Sequence, residues 1–191
     1  MSQNILTIEA SLFGQQGVST ELLKVLQDHL SSLLPEPELV TRNVMDGSLP
    51  HFDGNTMASI GEGKAELADT LIEEVKAADY LLLAAPMYNF SVPSQLKSWF
   101  DHIARAGVTF QYTDEGPVGL LSDKKVYVVL SFGGKHKDQV TDTQSSFLKT
   151  MLGFIGLKDV EFIYAEGLAM GDESKQQSIA NAKQQIMALT V

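Results

Sequence analysis

The sequence predicts one doubly wound α/β domain spanning residues 1–191, and three observations predict it. Short dense apolar runs alternate along the chain with stretches whose apolar residues recur at helical spacing. Two of the runs, residues 80–85 and 126–130, are apolar without alternation, the pattern of central parallel strands covered on both faces. No internal repeat, linker or low-complexity segment divides the 191 residues, a length that suits a single core.

Ile5-Leu6-Thr7-Ile8 reads as the first buried strand, and Leu22, Leu23, Leu26, Leu30, Leu33 and Leu34 then line one helical face. Residues 39–41 make a short second strand. Residues 45–63 carry Gly47, Pro50, Gly54 and Gly61 with little periodicity, so they read as a loop. A helix over 64–78 sets Leu67, Leu71, Ile72 and Val75 on one face with acids opposite. The strand at 80–85 is the most apolar, and Pro86 stops it. Pro93, whose fixed φ suits a first helical turn, opens a helix that runs to 106. Strands at 126–130 and 160–164, with helices at 142–155 and 173–189, complete the alternation. Residues 109–121 interrupt it as an excursion. A five-stranded parallel sheet with helices on both faces binds ligands outside the carboxyl ends of its strands, at the topological switch point.

Composition removes several chemistries. With 14 basic against 24 acidic residues the formal charge is −10, a poor match for a phosphate backbone, so no nucleic-acid partner is expected. The chain has no cysteine, which excludes disulfides, thiolate nucleophiles and cysteine-held metals together. Its four histidines, at 29, 51, 102 and 136, have no metal-ligand spacing, and no metal is expected. The longest nearly apolar run, 80–88, is nine residues where a bilayer needs about 20, so no membrane partner is expected either. The first basic residue is Lys24, no signal peptide is evident, and a cytoplasmic location is expected.

The loops after the first, third and fourth strands hold the candidate chemistry. The first runs Ser11-Leu12-Phe13-Gly14-Gln15-Gln16-Gly17-Val18-Ser19-Thr20 into a helix. Glycines permit tight turns there, and hydroxyls stand where a helix N-terminus offers unpaired N–H groups to a phosphate. The competing reading makes Ser19 or Thr20 an ordinary helix cap. No Lys or Arg lies in this loop, which argues against a P-loop. The next loop, Met87-Tyr88-Asn89-Phe90, offers flat apolar faces and an amide to a heteroaromatic ring, or else folds its aromatics onto the core. The last, Ser131-Phe132-Gly133-Gly134-Lys135-His136, brings a backbone close to a ligand edge, or is a plain turn. Taken together the three describe a site for a mononucleotide with a planar ring.

Specific text carries a family resemblance: Ala84-Ala85-Pro86-Met87-Tyr88-Asn89-Phe90, Gln95-Leu96-Lys97 and Ala104-Arg105-Ala106-Gly107-Val108-Thr109-Phe110. It continues through Gly116-Pro117-Val118-Gly119-Leu120, Gly153-Phe154-Ile155-Gly156 and Ala165-Glu166-Gly167. Over essentially its whole length the chain resembles the bacterial FMN-dependent NADH-azoreductases of the flavodoxin-like quinone reductase group. That resemblance implies a flavodoxin-like fold and tightly bound FMN. It also implies a homodimer, and ping-pong transfer of two electrons from NADH, with NADPH the second donor, to a quinone or azo compound. Carried over by position, Ser11, Gly17, Val18 and Ser19 would contact the phosphate. Met87, Tyr88, Asn89, Phe90, Ser131, Phe132, Gly133 and Gly134 would contact the ring. In that family no side chain would need to act as nucleophile or base, because the flavin would carry the chemistry.

Two positions depart from the family pattern. Gly17-Val18 stands where relatives read Ser-Gln, so the phosphate would lean on backbone N–H groups. Phe132 stands where relatives often have Arg, which removes a charge from the crevice mouth. Phe110, Tyr112 and Phe154 are candidate walls of a substrate pocket, across a dimer or as core packing. Lys135 and His136 are candidate donors, or solvated loop residues. Residues 87–137 hold six basic against four acidic side chains, and the remainder eight against 20, so a charge of +2 there faces −12 elsewhere. A basic surplus around the cleft would attract anionic nucleotides. The main competitor in another class is a flavodoxin-type electron carrier with protein partners.

Overall fold

The computed structural model describes residues 3–191. Strands β1 (Asn4–Glu9), β2 (Glu38–Asn43), β3 (Tyr80–Pro86), β6 (Lys125–Ser131) and β7 (Val160–Ala165) form one parallel sheet in the order β2-β1-β3-β6-β7. Their register sets Ile5 opposite Tyr80 and Pro86 opposite Ser131. The chain steps from β1 outward to β2 and returns past β1 to β3, so the reversal falls between β1 and β3.

The two apolar runs become the sheet's middle because both of their faces are covered. From β3, Leu82 and Ala84 pack with Leu22, Leu23, Leu26 and Leu30 of α1 (Val18–Leu33) and with Ala182 and Ile186 of α6 (Asp172–Met187). Their neighbours Leu81, Leu83 and Ala85 turn the other way. They meet α3 (Glu66–Ala77), α4 (Ser94–Ile103) and α5 (Thr143–Ile155) around Trp99 and Phe100. The period of two along a strand thus divides one apolar run between two cores.

Residues 45–63, expected to be a loop, contain the helix α2 (Gly54–Gly61). Asp53 caps it by accepting the Thr56 N–H at 2.8 Å, and none of its residues is buried. The excursion is an antiparallel hairpin of β4 (Phe110–Thr113) and β5 (Gly116–Gly119). It lies tight against the end of α5. A Cβ added at Gly119 would stand 2.1 Å from the Gly156 nitrogen, so only glycine fits.

Candidate functional site

After β1 the chain makes a single 3-10 turn, Gly14–Gln16, and enters α1 with Gly17 as its N-cap. Gly17 offers no side chain, and a Cβ there would stand 2.1 Å from the Ser11 Oγ. That contact lets the Ser11 hydroxyl occupy the corner, where it accepts the Phe13 N–H at 3.2 Å. Ser19 and Thr20 are buried, and their hydroxyls have no partner among the described residues. They are therefore not the helix caps that the competing reading made them. A buried hydroxyl without a partner is unfavourable by roughly 1–3 kcal/mol, unless a ligand satisfies it. The free N–H groups of a helix's first turn favour an anion at the same place.

The loop after β3 is a two-residue hairpin. Tyr88 N–H donates to the Ser91 carbonyl at 2.9 Å and Ser91 N–H to the Tyr88 carbonyl at 3.2 Å. Asn89 and Phe90 between them both lie in the left-handed region, at φ 52° and 64°, as a type I′ turn demands. Phe90 in that conformation is strained. The Thr143 hydroxyl donates to the Phe90 carbonyl and holds the tip against α5. Tyr88 Oη accepts the Leu12 N–H at 3.0 Å, which ties this loop to the first.

The loop after β6 is held from below. Glu166 accepts the His136 N–H at 2.8 Å and the Lys137 N–H at 3.0 Å. The Gly134 carbonyl accepts from Gly167 and the Gly133 carbonyl from Ala169. The Gly133 and Gly134 amides have no acceptor among the described residues. Burial raises the Tyr164 hydroxyl pKa above its ordinary value, and Lys137 lies 4.9 Å above that ring.

These loops enclose a cavity of about 330 Å³ beside the β1/β3 reversal. Of the expected residues, Ser11, Gly17, Val18, Ser19, Met87, Tyr88, Ser131 and Gly133 line it. Asn89 and Phe90 stand exposed at the hairpin tip, and Gly134 adjoins the lining without joining it. Phe132 does not join the lining. Its side chain is fully buried, its N–H donates to Ala165 and its carbonyl accepts from Leu168, so it presents neither ring nor free amide to the cavity. His136 is likewise outside the lining, wedged edge-on against Phe90 and Phe132 with Nδ1 2.9 Å from the Thr141 hydroxyl. Lys135 faces a separate groove along α6.

Phe13, Gln16, Pro86, Leu168 and Lys175 also line the cavity, and sequence reasoning missed them. Phe13 and Gln16 belong to a loop already singled out. Lys175, on α6 at the far end of the chain, had no local signal.

Phe110, Tyr112 and Phe154 form a cluster of their own, with Phe110 and Phe154 ring centroids 4.2 Å apart. It sits where α4 and α5 end, toward the amino edge of the sheet, so one chain alone does not bring it to the three loops. The basic surplus does not ring the cavity either. Lys97 pairs with Asp101, Arg105 with Asp69, and Lys125 with Asp159 and Glu161. Lys124 points inward to the carbonyls of Val75, Lys76 and Ala78.

The family model of the flavodoxin-like fold matches residues 3–189. The FMN-dependent NADH:quinone oxidoreductase of Saccharophagus degradans is 53% identical, covering 98% of this chain and 93% of that protein. The protein of the same name from Alcanivorax borkumensis is 42% identical, covering 98% and 100%. Among solved structures, the azoreductase AzrA superposes with a TM-score of 0.87 at 24% identity, over 96% of this chain and 97% of that one. An FMN-dependent NADH-azoreductase from Bacillus anthracis, solved in complex with FMN, gives 0.84 at 24% identity, over all of both chains. These likenesses agree with the 2-1-3-4-5 strand order counted along the parallel sheet. The chain belongs to the flavodoxin-like family, among the FMN-dependent NADH:quinone oxidoreductases.

Proposed function

We propose that the protein is an FMN-dependent oxidoreductase that takes electrons from NADH and delivers them in pairs to quinones and azo compounds. The observation that carries this reading is the corner where Gly17 yields room to the Ser11 hydroxyl. There the buried Ser19 hydroxyl has no partner among the described residues at the start of α1. It is a phosphate site in a chain whose close relatives are FMN-dependent enzymes. When bound, FMN supplies hydride acceptance from the nicotinamide and two-electron delivery to the acceptor. The protein's own residues do the rest. Ser11, Ser19 and the amide of Val18 hold the phosphate, the Gly17 amide being taken by the Gly14 carbonyl at 3.2 Å. Met87 and Tyr88 give the ring an apolar seat, and the Gly133 and Gly134 amides offer hydrogen bonds to its polar edge. Asn89 reaches that edge from the hairpin tip.

In this reading the enzyme is a homodimer. Tyr112, 74% exposed, stands with Val118 and Leu120 as uncovered apolar surface on the β4–β5 hairpin. Nearby, the buried Nε and Nη2 of Arg105 lack partners among the described residues. A second copy covering this surface would bring Phe110, Tyr112 and Phe154 toward a substrate. No helix among the described residues is long and apolar enough to cross a membrane. The cytoplasm is the compartment that dependence on NADH favours.

Purified protein decides the matter. A yellow preparation that releases FMN and oxidises NADH continuously with benzoquinone is expected. Dependence on a separate reductase would make it an electron carrier instead. A monomer mass by light scattering would remove the dimer.

A further inference from the structure

We infer that Lys175 supplies the positive charge for the cofactor's phosphate, from the last helix rather than from the loop that carries the hydroxyls. The inference rests on the FMN reading above. A phosphate monoester carries close to two negative charges at neutral pH. The first loop has no Lys or Arg, and Gly17-Val18 offers no side-chain donor. Helix N–H groups contribute about half a positive charge, which leaves most of the phosphate's charge uncompensated.

Lys175 lines the same cavity as Ser11, Gln16, Gly17, Val18 and Ser19. It lies in the first turns of α6, whose N-terminus, like that of α1, opens at the carboxyl edge of the sheet. Lys183, eight residues on and so on the same helical face, pairs with Glu21 in the first turn of α1 at 2.6 Å. That face of α6 is therefore turned toward α1. Asp172 and Glu173, the acids nearest in sequence, line the separate groove with Lys135 and Lys137. Lys175 itself has no ion pair among the described residues. A flexible ammonium with nothing to neutralise it, beside a buried unpartnered hydroxyl and a helix N-terminus, suits a phosphate as a point charge.

The test titrates FMN and riboflavin, which share the ring but differ in the phosphate, into apo-protein by flavin fluorescence at low and high salt. In the Lys175→Met variant FMN affinity is expected to fall about tenfold, the attraction being partly screened at this exposed position. Riboflavin affinity stays as in wild type, the salt dependence of FMN binding flattens, and Lys175→Arg restores most of the loss. Unchanged FMN affinity in Lys175→Met overturns the inference, and so does a parallel loss for both flavins, which marks a structural role. Wild-type protein that takes up neither flavin overturns the FMN reading itself, whatever the variant does.

Discussion

The two edges of the central sheet treat their polar groups in opposite ways. At the amino edge, Lys124 donates to the carbonyls that end α3, Val75 at 2.6 Å and Lys76 at 3.3 Å, with Ala78 beyond. Its neighbour Asp123 accepts the amides of Lys124, Lys158 and Asp159 at 3.0, 2.8 and 3.3 Å. Asn4 donates to Asp79 at 2.8 Å and to the Ala77 carbonyl at 3.0 Å. At the carboxyl edge, the Ser19 and Thr20 hydroxyls and the Gly133 and Gly134 amides go unpaired among the described residues, and Asn89 and Phe90 hold left-handed backbone. Apart from the Ser31 hydroxyl and the Arg105 Nε and Nη2, the amino edge is closed among the described residues, whereas the carboxyl edge is open at a stability cost that a bound ligand would offset. The comparison teaches where to look for function in such a sheet: at the end where unpaired groups and a left-handed turn meet beside a cavity.

Substitutions at the two edges should therefore move different measurements. Gly156→Ala tests the closed edge with the largest expected effect. Gly156 has φ 111° and a Cβ there would stand 2.6 Å from the Leu121 carbonyl. A loss of about 2–4 kcal/mol in urea unfolding is expected, with FMN affinity of the folded protein unchanged. Gly17→Ala tests the open edge. Displacing the Ser11 hydroxyl should weaken FMN by roughly thirtyfold, about 2 kcal/mol, while the melting temperature moves little. If both variants shift both readouts alike, the division between the edges is wrong. Asn89→Gly keeps the left-handed backbone and removes only the amide, so FMN retention should drop about five- to tenfold in equilibrium dialysis, one hydrogen bond's worth. Full retention would turn Asn89 away from the ring.

The smallest effect is a pH dependence at the closed edge. The Lys158 amide above all, with those of Asp159 and Lys124 adding and burial opposing, holds the Asp123 carboxyl below its ordinary 3.8. A depressed folded pKa stabilises the protein above the unfolded value and loses that contribution as pH falls through the folded one. The stability gap between wild type and Asp123→Asn should thus be widest near neutrality and close below about pH 4. A gap that widens in acid would contradict the sign.

The sheet was legible because burial on two faces writes itself into sequence as unbroken apolar runs. Residues 80–85 and 126–130 fall inside β3 and β6; residues 39–41 fall inside β2 as well, although that edge strand is exposed there. The helix α2 was not legible because nothing in it is buried, although Asp53 three residues before Thr56 was a usable capping signal. The first loop was legible as a candidate site because a helix N-terminus after a strand is a local pattern, and the resemblance named the glycine and serines within it. Phe132 turns into the core rather than toward the cavity, and sequence gives the position of a residue in a loop but not the direction of its side chain. Lys175 was missed for a different reason: only the packing of α6 beside α1 brings it to the cavity.

The hydrogen bond from Leu12 N–H to the Tyr88 hydroxyl joins the loop assigned to the phosphate with the loop assigned to the ring. The two loops thereby form one jaw rather than two independent lips. In the proposed FMN reading, release at one end is expected to need the other to give way as well, so Tyr88→Phe should quicken FMN dissociation.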